Sequence, residues 1–175
     1  MPYRKIHIIG GPGSGKTFSS KRLQEITGLK AYDLDLIFWD QNSKAYIRSS
    51  EESRAGKLNK VLAQESWIIE GVYYKWLADS FRNADLIIVL NPSVCIRQWR
   101  IFIRFLTRKF IHGHFRRESL SSFMELFCWN QKFDQDNMLR ILDSTAAYKD
   151  KRVFCKSYDE ILASIMRAKP PKQES

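Results

Sequence analysis

Short apolar segments alternate along this chain with longer amphipathic ones. Five of the short segments are rich in β-branched residues and are predicted to be strands: residues 4–9, 29–34, 66–71, 84–90 and 152–155. The segments at 66–71 and 84–90 contain continuously apolar runs, as expected for central strands of a parallel sheet covered on both faces. This alternation predicts an α/β protein.

The segments between these strands carry apolar residues at helical spacing. Helices are predicted at 18–26, at 93–110, at 119–147 with a bend near Asp134, and at 158–168. A further helix begins at a capping box formed by residues 49–52. On the 93–110 helix, Trp99 and Ile103 belong to an apolar stripe expected to pack onto the domain. We therefore expect one three-layer α/β domain over residues 1–168, followed by a disordered tail at 169–175.

The length and composition of the chain indicate how many domains it forms and in which cellular compartment it lies. The chain has 175 residues, 44% of them apolar, which suits a single domain with a real core. Its apolar runs are too short for a signal peptide or a membrane span. Cys95, Cys128 and Cys155 lie far apart in sequence, so we expect buried free thiols and a cytoplasmic protein without membrane contact.

The charge distribution is uneven. The net charge is +10, and residues 86–117 contain no acid but seven basic side chains. Four of these are spaced as one stripe along the 93–110 helix: Arg97, Arg100, Arg104 and Arg108. Such a segment seeks phosphate on a nucleotide, a nucleic acid or a membrane surface.

The first strand runs into a phosphate-binding motif, G-G-P-G-S-G-K-T. Its members are Gly10, Gly11, Pro12, Gly13, Ser14, Gly15, Lys16 and Thr17. In this pattern the glycines turn backbone N–H groups toward phosphates, the lysine reaches the β- and γ-phosphates, and the hydroxyl can bind Mg²⁺. The motif lies between a predicted strand and a predicted helix, which is the context that supports it. We therefore expect ATP and Mg²⁺ as ligands.

Acidic residues follow two other predicted strands. Glu70 is a candidate partner of Thr17 at Mg²⁺, although it could be an ordinary charge at a strand end. Asp35 is the candidate general base or acceptor-binding residue, ahead of Asp33, although either could simply cap a turn. Gly71 is expected to leave room for a substrate. Since parallel strands end at one edge of the sheet, these groups are predicted to converge.

Arginines are the candidate charge clamp for the transferred phosphoryl group. Arg100 and Arg104 are favoured, with Arg108 and Arg116 or Arg117 reaching from a lid, although a solvated helix face would explain the same stripe. The acceptor pocket is predicted between residues 35 and 54 and near Tyr73. It includes Arg48, and Ser157 lies in the segment 156–158 predicted to contact adenine.

The order of these segments resembles one known family. The set G-G-P-G-S-G-K-T, Y-D-L-D-L-I-F-W, W-I-I-E-G-V-Y and A-D-L-I-I-V-L-N-P, followed by an arginine-rich helix, is similar to the adenylate-kinase-like P-loop proteins called DNA topology modulation (FlaR-related) proteins. The likeness spans about residues 6–165. It implies the sheet order 2-3-1-4-5, a substrate-binding segment near 40–66, a lid near 107–117, and chemistry like that of small kinases for nucleoside monophosphates, shikimate or gluconate.

Two functions follow. The first is an ATP-dependent phosphotransferase whose acceptor is a nucleoside monophosphate or a small hydroxy-metabolite. The alternative is an ATP-binding regulator that contacts DNA through the basic segment. The D-x-D pair at a strand end favours the kinase, since it has a role in acceptor binding and none in DNA binding. The guanine-specifying N-K-x-D motif and the protein-kinase H-R-D and D-F-G motifs do not occur.

Overall fold

The computed structural model describes residues 2–41, 47–110 and 120–167. Most of the predicted lid, including Arg116, and the tail at 169–175 lie outside the described residues. The side chain of Arg108 lies outside them as well.

The sheet has five parallel strands. They are β1 (Lys5–Ile9), β2 (Ala31–Asp33), β3 (Trp67–Gly71), β4 (Leu86–Leu90) and β5 (Arg152–Cys155). Their order is β2-β3-β1-β4-β5, so the predicted fold class and the order 2-3-1-4-5 are confirmed. In the register, Ile9 lies beside Gly71 and Asp33 beside Glu70, which brings the carboxyl ends of β1, β2 and β3 to one edge.

Seven α-helices and one 3-10 segment connect and cover these strands in the described parts of the chain. They are α1 (Lys16–Thr27), α2 (Leu34–Phe38), α3 (Glu51–Leu62), α4 (Ala78–Asn83), α5 (Val94–Phe110), α6 (Leu120–Ser144), the 3-10 segment Ala146–Lys151 and α7 (Tyr158–Arg167). The sequence pattern does not predict α2 and α4, because five or six residues are too few to show a helical period. The predicted second strand was too long, since the chain turns into α2 at Leu34.

Alternating side chains of the sheet build two apolar layers. Ile8 of β1 packs with α1 and α7 through Leu23 and Ile161. Ile9 points the other way, into a cluster that includes Phe81 of α4 and Phe133 of α6. The helices therefore lie on both faces of the sheet, as the continuous apolar runs of β3 and β4 predicted.

Helix α5 corrects two predictions. Trp99 and Ile103, expected to pack onto the domain, are 63% and 40% exposed. Arg97, expected in the basic stripe, is fully buried instead: its guanidinium donates to Asn130 Oδ1 (3.0 Å), to the carbonyl of Pro92 (3.1 Å) and to the side chain of Asn91. Its Nη1 also lies 2.9 Å from the carboxylate of Asp134 on α6.

Arg97 therefore has an acidic partner, Asp134, although the stretch 86–117 around it in the sequence contains no acid. The pairing of Arg97 with Asp134 needs the α5–α6 hairpin, so local sequence could not show it. This guanidinium connects α5, α6 and the end of β4, and it has a structural role rather than a place on a phosphate-binding stripe.

The three cysteines are free thiols, but only Cys155 is buried, whereas Cys95 and Cys128 are exposed. Among the described residues, no helix combines the length and the apolar character that crossing a membrane requires.

Candidate active site

The phosphate-binding loop joins β1 to α1 through a turn that needs glycine. Gly13 and Gly15 have φ values of 71° and 99°, a region that side chains disfavour. A Cβ on Gly13 would lie 2.5 Å from the carbonyl oxygen of Arg97, and one on Gly10 would lie 2.2 Å from that of Leu90. The loop is thus pressed against α5 and β4, and it ends at the N-terminus of α1, where free N–H groups and the helix dipole favour an anion.

Lys16 is the buried cation of this loop. Its side chain is 8% exposed, and Nζ donates to the carbonyl of Gly11 at 3.0 Å. Burial lowers the pKa of Lys16, while the charges of Glu70, Asp35 and Asp33 oppose that shift. The three acids predicted to converge on the loop do lie close enough to act on its lysine.

Thr17 and Glu70 meet directly. The Thr17 hydroxyl donates to Glu70 Oε1 at 2.6 Å. Glu70 is 3% exposed, and burial raises its pKa to about 7 against the opposing effects of Lys16 and Thr17. A hydroxyl and a carboxylate are oxygen ligands of the kind that Mg²⁺ prefers. No group of three acidic, His or Cys side chains that could bind a metal occurs within the described residues, so phosphate and water would have to complete the coordination.

The two aspartates at the end of β2 have different surroundings. Asp33 accepts a hydrogen bond from the backbone N–H of Asp35 at 2.8 Å and thereby caps α2. The capping alternative considered for the pair thus describes Asp33. Asp35 is exposed at the first turn of α2, and its Oδ1 accepts a hydrogen bond from the Tyr73 hydroxyl at 2.7 Å. Asp35, unlike Asp33, also lines the cavity described next, and the Tyr73 hydroxyl holds its carboxylate there.

A cavity of about 1290 Å³ opens beside these groups. It is lined by twelve of the predicted site residues: Pro12, Gly13, Gly15, Lys16, Thr17, Asp35, Arg48, Glu70, Gly71, Tyr73, Arg100 and Arg104. Gly71 lines the cavity, and a Cβ there would lie 2.8 Å from the side chain of Leu34. Its small size serves the packing of α2 against β3.

The two favoured arginines of α5 reach this region. Arg100 donates to the carbonyl of Ser14 at 2.8 Å and approaches that of Gly13 at 3.4 Å, so it braces the loop. Arg104 lines the large cavity, and its charge helps to lower the pKa of Lys16.

A second cavity, of about 310 Å³, lies beside the loop. Ser157 lines it together with Phe18, Tyr158 and Arg100. The rings of Phe18 and Tyr158 meet edge to face at 5.9 Å. The segment predicted to contact adenine therefore lies beside the phosphate-binding loop. Sequence analysis did not name Phe18 or, individually, Tyr158 as a site residue.

The far wall of the large cavity was predicted in part: residues 35–54 and Tyr73 were expected to line the acceptor pocket, whereas Trp76 and α6 were not. Phe38 and Tyr73 stack at 4.5 Å, and Trp76 lies 5.9 Å from Tyr73. Arg54 sits over both Phe38 (5.1 Å) and Trp76 (5.6 Å). Helix α6 adds Leu126, Trp129 and Asn137. The aromatic pairs near residues 38 and 73 were a signal for this wall, whereas nothing local marked α6 as part of it.

No family model and no curated protein matches this sequence. Solved structures do match its fold. A gluconokinase from Sinorhizobium meliloti 1021 is 15% identical, with a TM-score of 0.51 over 91% of this chain and 87% of its own. A shikimate kinase from Acinetobacter baumannii, in complex with shikimate, is 15% identical, with a TM-score of 0.53 over 93% of each chain.

The chain has a P-loop kinase fold. At this level of identity the likeness concerns the fold alone. The more specific resemblance to DNA topology modulation proteins remains a prediction.

Proposed function

We propose that this protein is an ATP-dependent small-molecule kinase. The observation that carries the proposal is the convergence of Lys16, the Thr17–Glu70 pair and Asp35 beside one large cavity. A phosphoryl transfer needs a cradle for the donor, positive charge, a metal position and an oriented acceptor, and each has a candidate group here.

The donor half of the site is the loop and the start of α1. The phosphates of ATP would replace the Gly11 carbonyl as the partner of Lys16 Nζ, which lies 3.0 Å from that carbonyl. Thr17 and Glu70 would hold Mg²⁺, which, when bound, would neutralise negative charge on the phosphates. The adenine would occupy the smaller cavity near Ser157.

The acceptor half centres on Asp35. Its carboxylate would take the proton of an acceptor hydroxyl, and the Tyr73 hydroxyl would keep it in place through the 2.7 Å hydrogen bond. Arg100 and Arg104 supply positive charge beside the transferred group. A contribution from Arg108 and Arg116 remains a prediction, because the lid lies outside the described residues. The acceptor would be a nucleoside monophosphate or a small hydroxy-metabolite.

The alternative of a DNA-contacting regulator is less well supported. Arg97 is buried, and Arg100 donates to carbonyls of the loop, so two arginines of the supposed DNA-binding stripe are engaged within the protein. If that alternative were right, duplex DNA would bind at low salt with a strong dependence on salt concentration.

The test is an ADP-release assay with Mg-ATP and a panel of nucleosides, nucleoside monophosphates and small hydroxy-acids. Lys16→Ala should reduce turnover by about 10²-fold or more, since it removes the charge on the migrating group. Asp35→Asn should reduce kcat by about 10²- to 10⁴-fold with little change in ATP affinity. Lys57→Ala, on the exposed face of α3, is the control. Unchanged turnover in Lys16→Ala would refute the proposal.

A further inference from the structure

Arg97 is a buried cation that the proposed chemistry does not use. Its side chain is fully buried, and its Nε donates to Asn130 Oδ1 on α6 at 3.0 Å. Its Nη1 donates to the carbonyl of Pro92 at 3.1 Å and lies 2.9 Å from the carboxylate of Asp134. The side chain of Asn91, which follows β4, accepts from the same nitrogen. One guanidinium therefore joins α5, α6 and the end of β4.

Both helices that Arg97 joins lie directly against the phosphate-binding loop. A Cβ on Gly13 would lie 2.5 Å from the carbonyl oxygen of Arg97 itself, so α5 touches the loop at this residue. A Cβ on Gly11 would lie 3.0 Å from the ring of Phe133 on α6. The guanidinium carbon of Arg97 lies 5.8 Å from the centre of that same ring. The loop is thus in contact, at two glycines, with the two helices whose relative position Arg97 fixes.

One of these glycines also holds the lysine of the loop. The carbonyl of Gly11 accepts a hydrogen bond from Lys16 Nζ at 3.0 Å. Helix α6 in addition lines the large cavity with Leu126, Trp129 and Asn137. A shift of α6 would therefore change both the position of the loop and the shape of the cavity beside it.

A buried arginine is not the most stabilising way to hold two helices together. Apolar residues of the same volume are often as stabilising as a buried ion pair, or more so. Apolar packing is not directional, however, whereas a planar guanidinium fixes the direction of each of its N–H groups. The contacts of Arg97 therefore specify where α5 and α6 lie more narrowly than apolar packing would.

We propose that Arg97 is a positioning residue for the phosphate-binding loop. By fixing α5 and α6 at the end of β4, it keeps Gly11 and Gly13 where the loop can receive the phosphates of a nucleotide. Arg97 is itself fully buried, so it acts through these two glycine contacts. Its effect on turnover rests on the proposed kinase function, whereas its effect on nucleotide binding does not.

The experiment measures ATP and ADP binding by calorimetry, and the backbone amide resonances of Gly11 and Gly13 by NMR in the absence of nucleotide. The test variants are Arg97→Met and Asp134→Asn. The second variant removes one charge from a partner that is 40% exposed, so it is expected to fold even if Arg97→Met does not. Urea unfolding ranks the variants by stability, and binding is measured under conditions in which each is folded.

Two control variants separate positioning from stability. Ile165→Ala removes packing from the cluster that α7 forms on the opposite face of the sheet, so it lowers stability without touching α5 or α6. Arg140→Met removes an arginine from the exposed face of α6. Both controls should keep the nucleotide affinity and the glycine resonances of the wild type.

Arg97→Met should weaken ATP binding about 10- to 100-fold and shift both glycine resonances, because the loop is displaced from its working position. Asp134→Asn should do the same to a smaller extent. With any acceptor that supports ADP release, kcat should fall in Arg97→Met but not in Ile165→Ala.

Three results would each overturn the proposal. They are unchanged ATP affinity in folded Arg97→Met or, if that variant does not fold, in Asp134→Asn; an equal loss of affinity in Ile165→Ala; and the absence of ATP binding by the wild type. Weakened ATP binding in the test variants, together with no ADP release by the wild type from any acceptor, would reject the kinase function and leave the positioning role standing.

Discussion

His7 should make the stability of this protein depend on pH. Its side chain is fully buried in the middle of the sheet, with Nδ1 2.8 Å from Ser80 Oγ and the ring 4.7 Å from that of Phe81. Its Nε2 has no hydrogen-bond partner among the described residues. Burial alone lowers the pKa of His7 to about 3, so the folded protein holds the neutral imidazole over the whole physiological range.

The magnitude follows from the difference between the folded and unfolded pKa values. The unfolded chain has the ordinary value of 6.5 and takes up a proton as the pH falls below it, while the folded protein does not until about pH 3. His7 therefore contributes stability above pH 6.5 that is lost on acidification, at about 1.4 kcal/mol per pH unit. Between pH 7.5 and 5.0 the loss amounts to about 2 kcal/mol.

The assay is urea unfolding at several pH values for the wild type and for His7→Asn, which keeps a short polar group near Ser80 but cannot titrate. The comparison of wild type with variant is needed because Glu70 changes the free energy of unfolding in the opposite direction as the pH falls. Its pKa is raised to about 7, so its own destabilising effect weakens as the pH falls toward 4.5. That effect is common to both proteins and cancels in the difference.

The expected result is that the wild type loses about 2 kcal/mol more than the variant between pH 7.5 and 5.0. His7→Asn also lowers the free energy of unfolding because its side chain is smaller, but by the same amount at every pH, so this loss does not change the difference between the two pH values. Parallel pH profiles would refute the reasoning, as would an NMR titration that finds the folded His7 imidazole ionising near 6.5.

Two further predictions concern packing around the loop. Arg97→Met should lower the free energy of unfolding by about 3 kcal/mol, because it leaves Asp134 and several acceptors without their buried partner; a urea midpoint unchanged from that of Arg140→Met would contradict this. Gly13→Ala should abolish nucleotide binding by calorimetry, because its Cβ would meet the Arg97 carbonyl at 2.5 Å. Gly28→Ala is the matched control. Gly28 also has a positive φ, 72°, but no described atom lies within 4 Å of the Cβ that alanine would add. The substitution should lower the free energy of unfolding by about 1 kcal/mol and leave nucleotide binding intact.

The candidate site could be predicted only in part from the sequence, and Asp33 and Asp35 show why. The loop and the acids after β2 and β3 are marked by local sequence, and a parallel sheet brings strand ends together whatever the loops between them contain. Asp33 and Asp35 look equivalent in sequence. Their roles differ only once the chain turns into α2, because Asp33 then caps the helix and Asp35 faces the cavity.

The far wall of the large cavity depends on more of the fold than the strand ends do. Arg54 lies in the first turns of α3, and Trp76 lies beyond β3, so their approach depends on how α2, α3 and the segment after β3 pack together. No periodic pattern encodes that Arg54 and Trp76 will line one cavity. This evidence is available only from the positions of all the surrounding atoms.

By itself, the sequence determined the succession of strands and major helices, the phosphate-binding loop and the edge of the sheet where the acids gather, because each depends on neighbouring residues or on a general rule of parallel sheets. The tertiary structure alone decided which face of α5 is buried. The helical period groups Trp99 with Ile103, but it cannot say whether that stripe or Arg97 turns inward. Arg97 is buried because α6 brings Asn130 and Asp134 to its guanidinium, and partners on a separate helix meet only when the chain has folded.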